Sequence, residues 1–129
     1  MSKNKEFYAW FEKLTPKLGQ REVSFRKIFN YLDSIPTPII IVETGCLRDS
    51  NNFEDGQSTL LFDKYTLSRG EESKVYTVDI NSTCTKACQQ VVSKNVEITT
   101  EDSVRYLNNL SQKFLKNKKI ISSLFFILY

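Results

Sequence analysis

The feature that most constrains this chain is the run Ile39-Ile40-Ile41-Val42, reached through Pro36 and Pro38 and closed by Glu43-Thr44-Gly45. Each proline fixes φ and lacks an N–H, so the approach is extended rather than helical. The β-branched residues that follow show no polar alternation. Such a run fits a strand covered on both faces, as in a parallel sheet.

The rest of the chain agrees with that starting point. Phe7, Trp10, Phe11 and Leu14 fall at helical spacing and predict a helix from about Lys5 to Leu14, punctuated by Pro16 and Gly19. A second helix is expected from about Arg21 to Leu32, burying Val23, Phe25, Ile28, Phe29 and Leu32. After the first strand comes a polar loop, Arg48 to Asp55. Gly56-Gln57-Ser58-Thr59 then opens a helix carrying Leu60, Leu61, Phe62, Tyr65 and Leu67, with Gly70 just past its stop. Val75 to Ile80 reads as a second strand, and Asn81 or Ser82 caps a helix running to about Ser93. Val96 to Ile98 reads as a third strand. A helix with Val104, Leu107, Leu110, Phe114 and Leu115 on one side follows it, and Ile120 onward reads as a fourth strand.

Strands alternating with helices predict an α/β fold, a Rossmann-like parallel sheet with helices on both faces in three layers. Residues 1–35 form an N-terminal helical segment, and residues 36–129 form the Rossmann-like domain.

Charge and cysteine usage narrow the function classes. A net charge of +3 with interspersed signs does not suggest a nucleic-acid face. The densest basic stretch, Lys113, Lys116, Lys118 and Lys119, suits a helix end, where cations complement the dipole. Cys46, Cys84 and Cys88 are odd in number and lack a framework spacing, which suggests reduced thiols and a cytoplasmic location. With no histidine in the chain they lack partners for a metal site. The start MSKNKEFYAWFEKL has no long apolar run, and the tail Leu124 to Tyr129 is too short to span a bilayer, so no membrane association is expected.

In an open parallel sheet, ligands bind beyond the carboxyl ends of the strands. Polar clusters fall at those ends: Glu43-Thr44-Gly45, Asp79, and Glu101-Asp102-Ser103. Gly45 would let backbone approach a ligand closely. Asp79 could accept bonds from a ribose diol, and Asp102 with Ser103 could meet an adenine edge. Gln57-Ser58-Thr59 would present free N–H groups at a helix start, suited to a carboxylate. Each has a plainer role open to it: Asp102 as a first-turn helix acid, Ser58 as an N-cap, Asp79 as a turn former and Glu43 as a partner for loop amides. Their recurrence at successive strand ends favours a site. G-x-G-x-x-G and the P-loop signature are both absent, which weighs against nicotinamide cofactors and nucleoside triphosphates.

Ile40 to Gly45, Asp55-Gly56-Gln57-Ser58-Thr59 and Val75 to Ile80 together resemble class I S-adenosylmethionine (SAM)-dependent methyltransferases. The likeness runs from about Pro36 to Leu110. It implies SAM as cofactor, with Glu43, Thr44, Gly45, Gln57, Ser58, Asp79, Ile80, Asp102 and Ser103 as its binding set, and a small-molecule or unknown methyl acceptor. Within that set, Asp79 would hold the ribose, Asp102 and Ser103 would border the adenine, and Gln57 and Ser58 would flank the methionine end. It also implies further strands and an acid in the fourth, whereas Ser123 to Tyr129 has no acid, so a form truncated after the fourth strand is expected. The uncovered edge of that strand would favour homo-oligomers. A non-catalytic SAM- or nucleotide-binding module and a SAM-cleaving lyase remain open beside the methyltransferase reading.

Overall fold

The computed structural model describes residues 4–36, 38–46, 57–70, 72–115 and 124–127. Two helices come first, α1 (Lys5–Leu18) and α2 (Arg21–Asp33). Strands and helices then alternate: β1 (Ile40–Thr44), α3 (Ser58–Arg69), β2 (Lys74–Asp79), α4 (Ser82–Val91), β3 (Val96–Thr100), α5 (Ser103–Leu115) and β4 (Leu124–Ile127). The polar loop around Asn51 and Asn52, Gly56, and Lys116 to Ser123 lie outside the described residues.

The sheet is parallel, in the order β3-β2-β1-β4. From β1 the chain steps outward through β2 to β3, then returns to the other side of β1. Helices α3 and α4 pack on one face of the sheet and α5 on the other. The core follows that division. Ile39, Ile41, Val75 and Val96 face a cluster with Phe7, Phe11, Phe25, Phe29, Leu61, Phe62 and Tyr65 from the first three helices. Ile40, Val42, Tyr76 and Val78 point the other way, onto Tyr106 and Leu110 of α5. Every residue of β1 is therefore buried, which is why its sequence shows no polar alternation.

An aromatic stack joins the two N-terminal helices to α3. Phe29 stacks on Tyr65 at 4.9 Å and meets Phe7 edge-on at 4.8 Å. Such pairs add to the area they bury. A polar lock lies beside the stack. The Tyr65 hydroxyl donates to Asp33 Oδ1 at 2.6 Å, and the Tyr8 hydroxyl donates to Asp33 Oδ2 at 2.5 Å. Arg69 donates to the Tyr65 oxygen at 2.6 Å and to the Leu32 carbonyl at 2.7 Å, and also reaches the Ile35 carbonyl. This guanidinium satisfies carbonyls that the end of α2 leaves without helical partners.

Several sequence expectations need correction. Helix α1 continues through Pro16 to Leu18 instead of stopping near Leu14. The proline frees the Glu12 carbonyl from its helical partner, and the Thr15 hydroxyl donates to that carbonyl at 2.9 Å. Val23, expected in the core, is 59% exposed, and Leu67 and Val104, placed on helices α3 and α5, are 50% and 65% exposed. Each sits two residues from a buried position, about 200° around its helix. Helix α4 ends at Val91, β2 ends at Asp79 and β3 extends to Thr100. The expected fourth strand appears over Leu124–Ile127, beside β1.

Candidate functional site

The strand order changes direction at β1, whose neighbours β2 and β4 lie on opposite sides. Open α/β sheets bind ligands outside the carboxyl ends of the strands at such a switch. The chain after Thr44 turns sharply there. Gly45 adopts φ +83°, a region that side chains disfavour, and its N–H donates to the Val78 carbonyl at 2.7 Å.

Asp79 organises this rim. Its Oδ2 accepts the Cys46 N–H at 3.2 Å and its Oδ1 accepts the Asn81 N–H at 2.8 Å. Its backbone carbonyl accepts the Glu101 N–H at 3.0 Å. The segments following β1, β2 and β3 are thus all bonded to one residue. Ile80, next to it, is 73% exposed, an uncovered apolar side chain beside a strand-end acid. Asp102 is also exposed, and its carboxylate accepts the Arg105 N–H at 3.1 Å, an N-cap contact for α5. Ser103 is half-buried at the first position of α5.

Glu43 is placed differently. It is fully buried, one residue before the end of β1. Ser58 donates to its Oε2 at 2.5 Å, while Thr59 and Thr77 donate to its Oε1 at 2.6 and 2.9 Å. Burial pushes this carboxyl up to about 7, against the pull of the three hydroxyls and of the Arg21 charge. Gln57, Ser58 and Thr44 are buried as well. The sequence-derived set therefore divides. Gly45, Asp79, Ile80, Asp102 and Ser103 follow the rim, whereas Glu43 and Ser58 bond to each other beneath it.

Sequence reasoning missed Thr77 and the Cys46 backbone, and took Thr59 only for its backbone at the helix start, not for its hydroxyl. Thr59 and Thr77 complete the shell of Glu43, and the Cys46 backbone bonds Asp79. A threonine inside the apolar run Val75-Tyr76-Thr77-Val78 is a signal for a buried acceptor across the sheet. Assigning that acceptor requires the register, which sets Thr77 opposite Glu43.

Cys46 and Cys88 are buried and packed together, with Cys84 alongside. Burial and the neighbouring Cys88 thiol push the Cys46 thiol well above the ordinary range, with Cys88 the larger cause. No cluster able to hold a metal ion occurs among the described residues. A groove lined by Phe7, Trp10, Lys64 and Leu67 lies between α1 and the later turns of α3, apart from the rim residues. No helix among the described residues is long and apolar enough to cross a membrane. Comparison with family models, curated proteins and solved structures finds no match for this chain.

Proposed function

We propose that the rim binds S-adenosylmethionine and that the chain is the cofactor-binding part of a class I methyltransferase, with its Rossmann-like layers arranged as in that family. The observation that carries this reading is the pairing of Asp79 with exposed Ile80 at the end of β2, beside the Gly45 turn at the switch point. Among the described residues, Asp79 Oδ1 accepts one N–H, and Oδ2 accepts the Cys46 N–H and a long contact from its thiol at 4.0 Å, so Oδ1 keeps lone-pair capacity for a further donor. A ribose diol offers two such donors. Ile80 offers an apolar surface to the flat adenine, and Asp102 with Ser103 borders it on the β3 side.

Methyl transfer is a displacement at an electrophilic carbon, so the protein's contribution is chiefly to hold the reactants in line. In this reading Asp79 fixes the nucleoside, and the start of α3 with Gln57 and Ser58 flanks the methionine end.

Calorimetric titration with SAM, S-adenosylhomocysteine, NAD and ATP tests the assignment. Binding of the first two alone is expected, and binding of NAD or ATP in their place would overturn it. Asp79→Ala should weaken SAM binding by about 1–3 kcal/mol through loss of charge-assisted bonds. Product analysis after incubation with SAM then separates methyl transfer from cleavage and from binding without turnover.

A further inference from the structure

Beneath the rim, the Glu43 carboxyl is enclosed by hydroxyls from two neighbouring elements, Ser58 and Thr59 of α3 and Thr77 of β2. We propose that Glu43 is a proton-responsive positioning residue: the charge on its carboxyl decides which way these hydroxyls point, and through them how the first turn of α3 sits against β1 and β2. The ligand in this inference is the proton, so it stands apart from the cofactor assignment.

The stereochemistry is specific. An ionised carboxylate only accepts, and its two oxygens can take all three donors at once. The protonated acid carries its own O–H, so one of its oxygens becomes a donor. Among the described residues, Oε1 holds both Thr59 and Thr77, and Oε2 holds Ser58. The proton therefore goes to Oε2, and the Ser58 hydroxyl must turn from donor to acceptor. Ser58 is the first residue of α3, and the N–H of Leu61 closes the first turn on the Gln57 carbonyl at 3.3 Å. A reversal at Ser58 is thus delivered to the helix start that borders the rim.

The surroundings leave both forms accessible. Burial favours the neutral acid, while the three hydroxyls and the Arg21 guanidinium of α2 favour the anion. From the loop after β1, the Cys46 thiol feels the Glu43 charge, one of the smaller causes raising it. The balance falls at about 7. Both states are then populated at neutral pH, and a modest change in surroundings shifts one toward the other.

The test uses the full chain with no cofactor. Infrared difference spectra of wild type minus Glu43→Gln are recorded across roughly pH 5 to 9. A protonated-carboxyl C=O band is expected on the acid side, lost with a midpoint at about 7. Amide exchange at Leu61, corrected for the intrinsic pH dependence of the exchange rate, should change with the same midpoint in wild type and not in Glu43→Gln. Thr77→Val removes a donor that favours the anion and should move the midpoint upward, which keeps the inference testable if the glutamine variant does not fold. A band titrating in the ordinary glutamate range overturns the proposal, as does exchange at Leu61 that ignores the transition. Failure of SAM to bind would leave these outcomes untouched.

Discussion

The two ends of α3 are held by the same chemistry in opposite settings. At the later end, Tyr65 donates to Asp33, an exposed acid that also receives the Tyr8 hydroxyl and the Asn4 amide. At the start, Ser58 and Thr59 donate to Glu43, an acid with no exposure at all. Among the described residues, each carboxyl accepts three side-chain donors. Asp33 keeps contact with water, which solvates its charge. Glu43 depends on its hydroxyls and on the Arg21 charge, and together they do not offset the cost of burial. Enclosure, rather than the number of hydrogen bonds, makes the rim end of α3 sensitive to protons, while the far end works as a fixed anchor.

The largest test breaks the anchored end. Phe29 has no exposure and stacks on Tyr65. Phe29→Ala should cost about 3–5 kcal/mol of stability, measured by denaturant unfolding, because the packed rings around it cannot close the void. Under conditions where the variant remains folded, ligand affinity at the rim should hold. A parallel loss of affinity would mean that the two ends are not independent.

The next test uses pH. The folded protein holds the Glu43 proton more tightly than the unfolded chain does, since its value rises from 4.5 to about 7. Where the folded state binds more protons, stability falls as pH rises. The Glu43 contribution is therefore fully present below about 4.5 and is lost as pH rises through about 7. The whole effect is on the order of 3 kcal/mol. The stability of wild type relative to Glu43→Gln, followed by urea unfolding, should decline across that window. A difference that stays flat with pH would move the proton-sensitive group elsewhere.

A smaller loss is expected when the anchor keeps its rings and loses one hydroxyl. Tyr65→Phe leaves Asp33 and Arg69 without their shared oxygen, at a cost of about 1–3 kcal/mol in unfolding free energy. Pairing it with Asp33→Ala in a double-mutant cycle isolates that bond.

Most of the architecture was legible in the sequence because its signals are local. Pro36, Pro38 and the β-branched run located β1, and the glycines and helical spacings set the alternation. What was missed depends on geometry between elements. Val23 and Val104 are apolar and helical, yet only docking decides which side of the helix faces the sheet. Pro16 sits inside a helix because Thr15 serves the carbonyl it frees. At the site, Asp79 and Gly45 were recognisable from their places at strand ends. The burial of Glu43 was not, because it depends on hydroxyls contributed from 15, 16 and 34 residues further along the chain.

The smallest effect concerns the rim itself. Asn81 takes part in two separate arrangements there. Its backbone N–H is held by Asp79, while its side-chain oxygen accepts the N–H groups of Thr83 at 2.8 Å and Cys84 at 3.4 Å, capping α4. Asn81→Ala removes the cap and spares the bond to Asp79, so stability should fall by about 1 kcal/mol. If the cap acts only on α4, SAM affinity should not change, as read by calorimetry. A comparable fall in affinity would show that the cap also sets the Asp79 carboxylate. The turn after β2 would then be a single unit in which helix start and ligand contact are built together, and the rim would be as tightly anchored as the far end of α3.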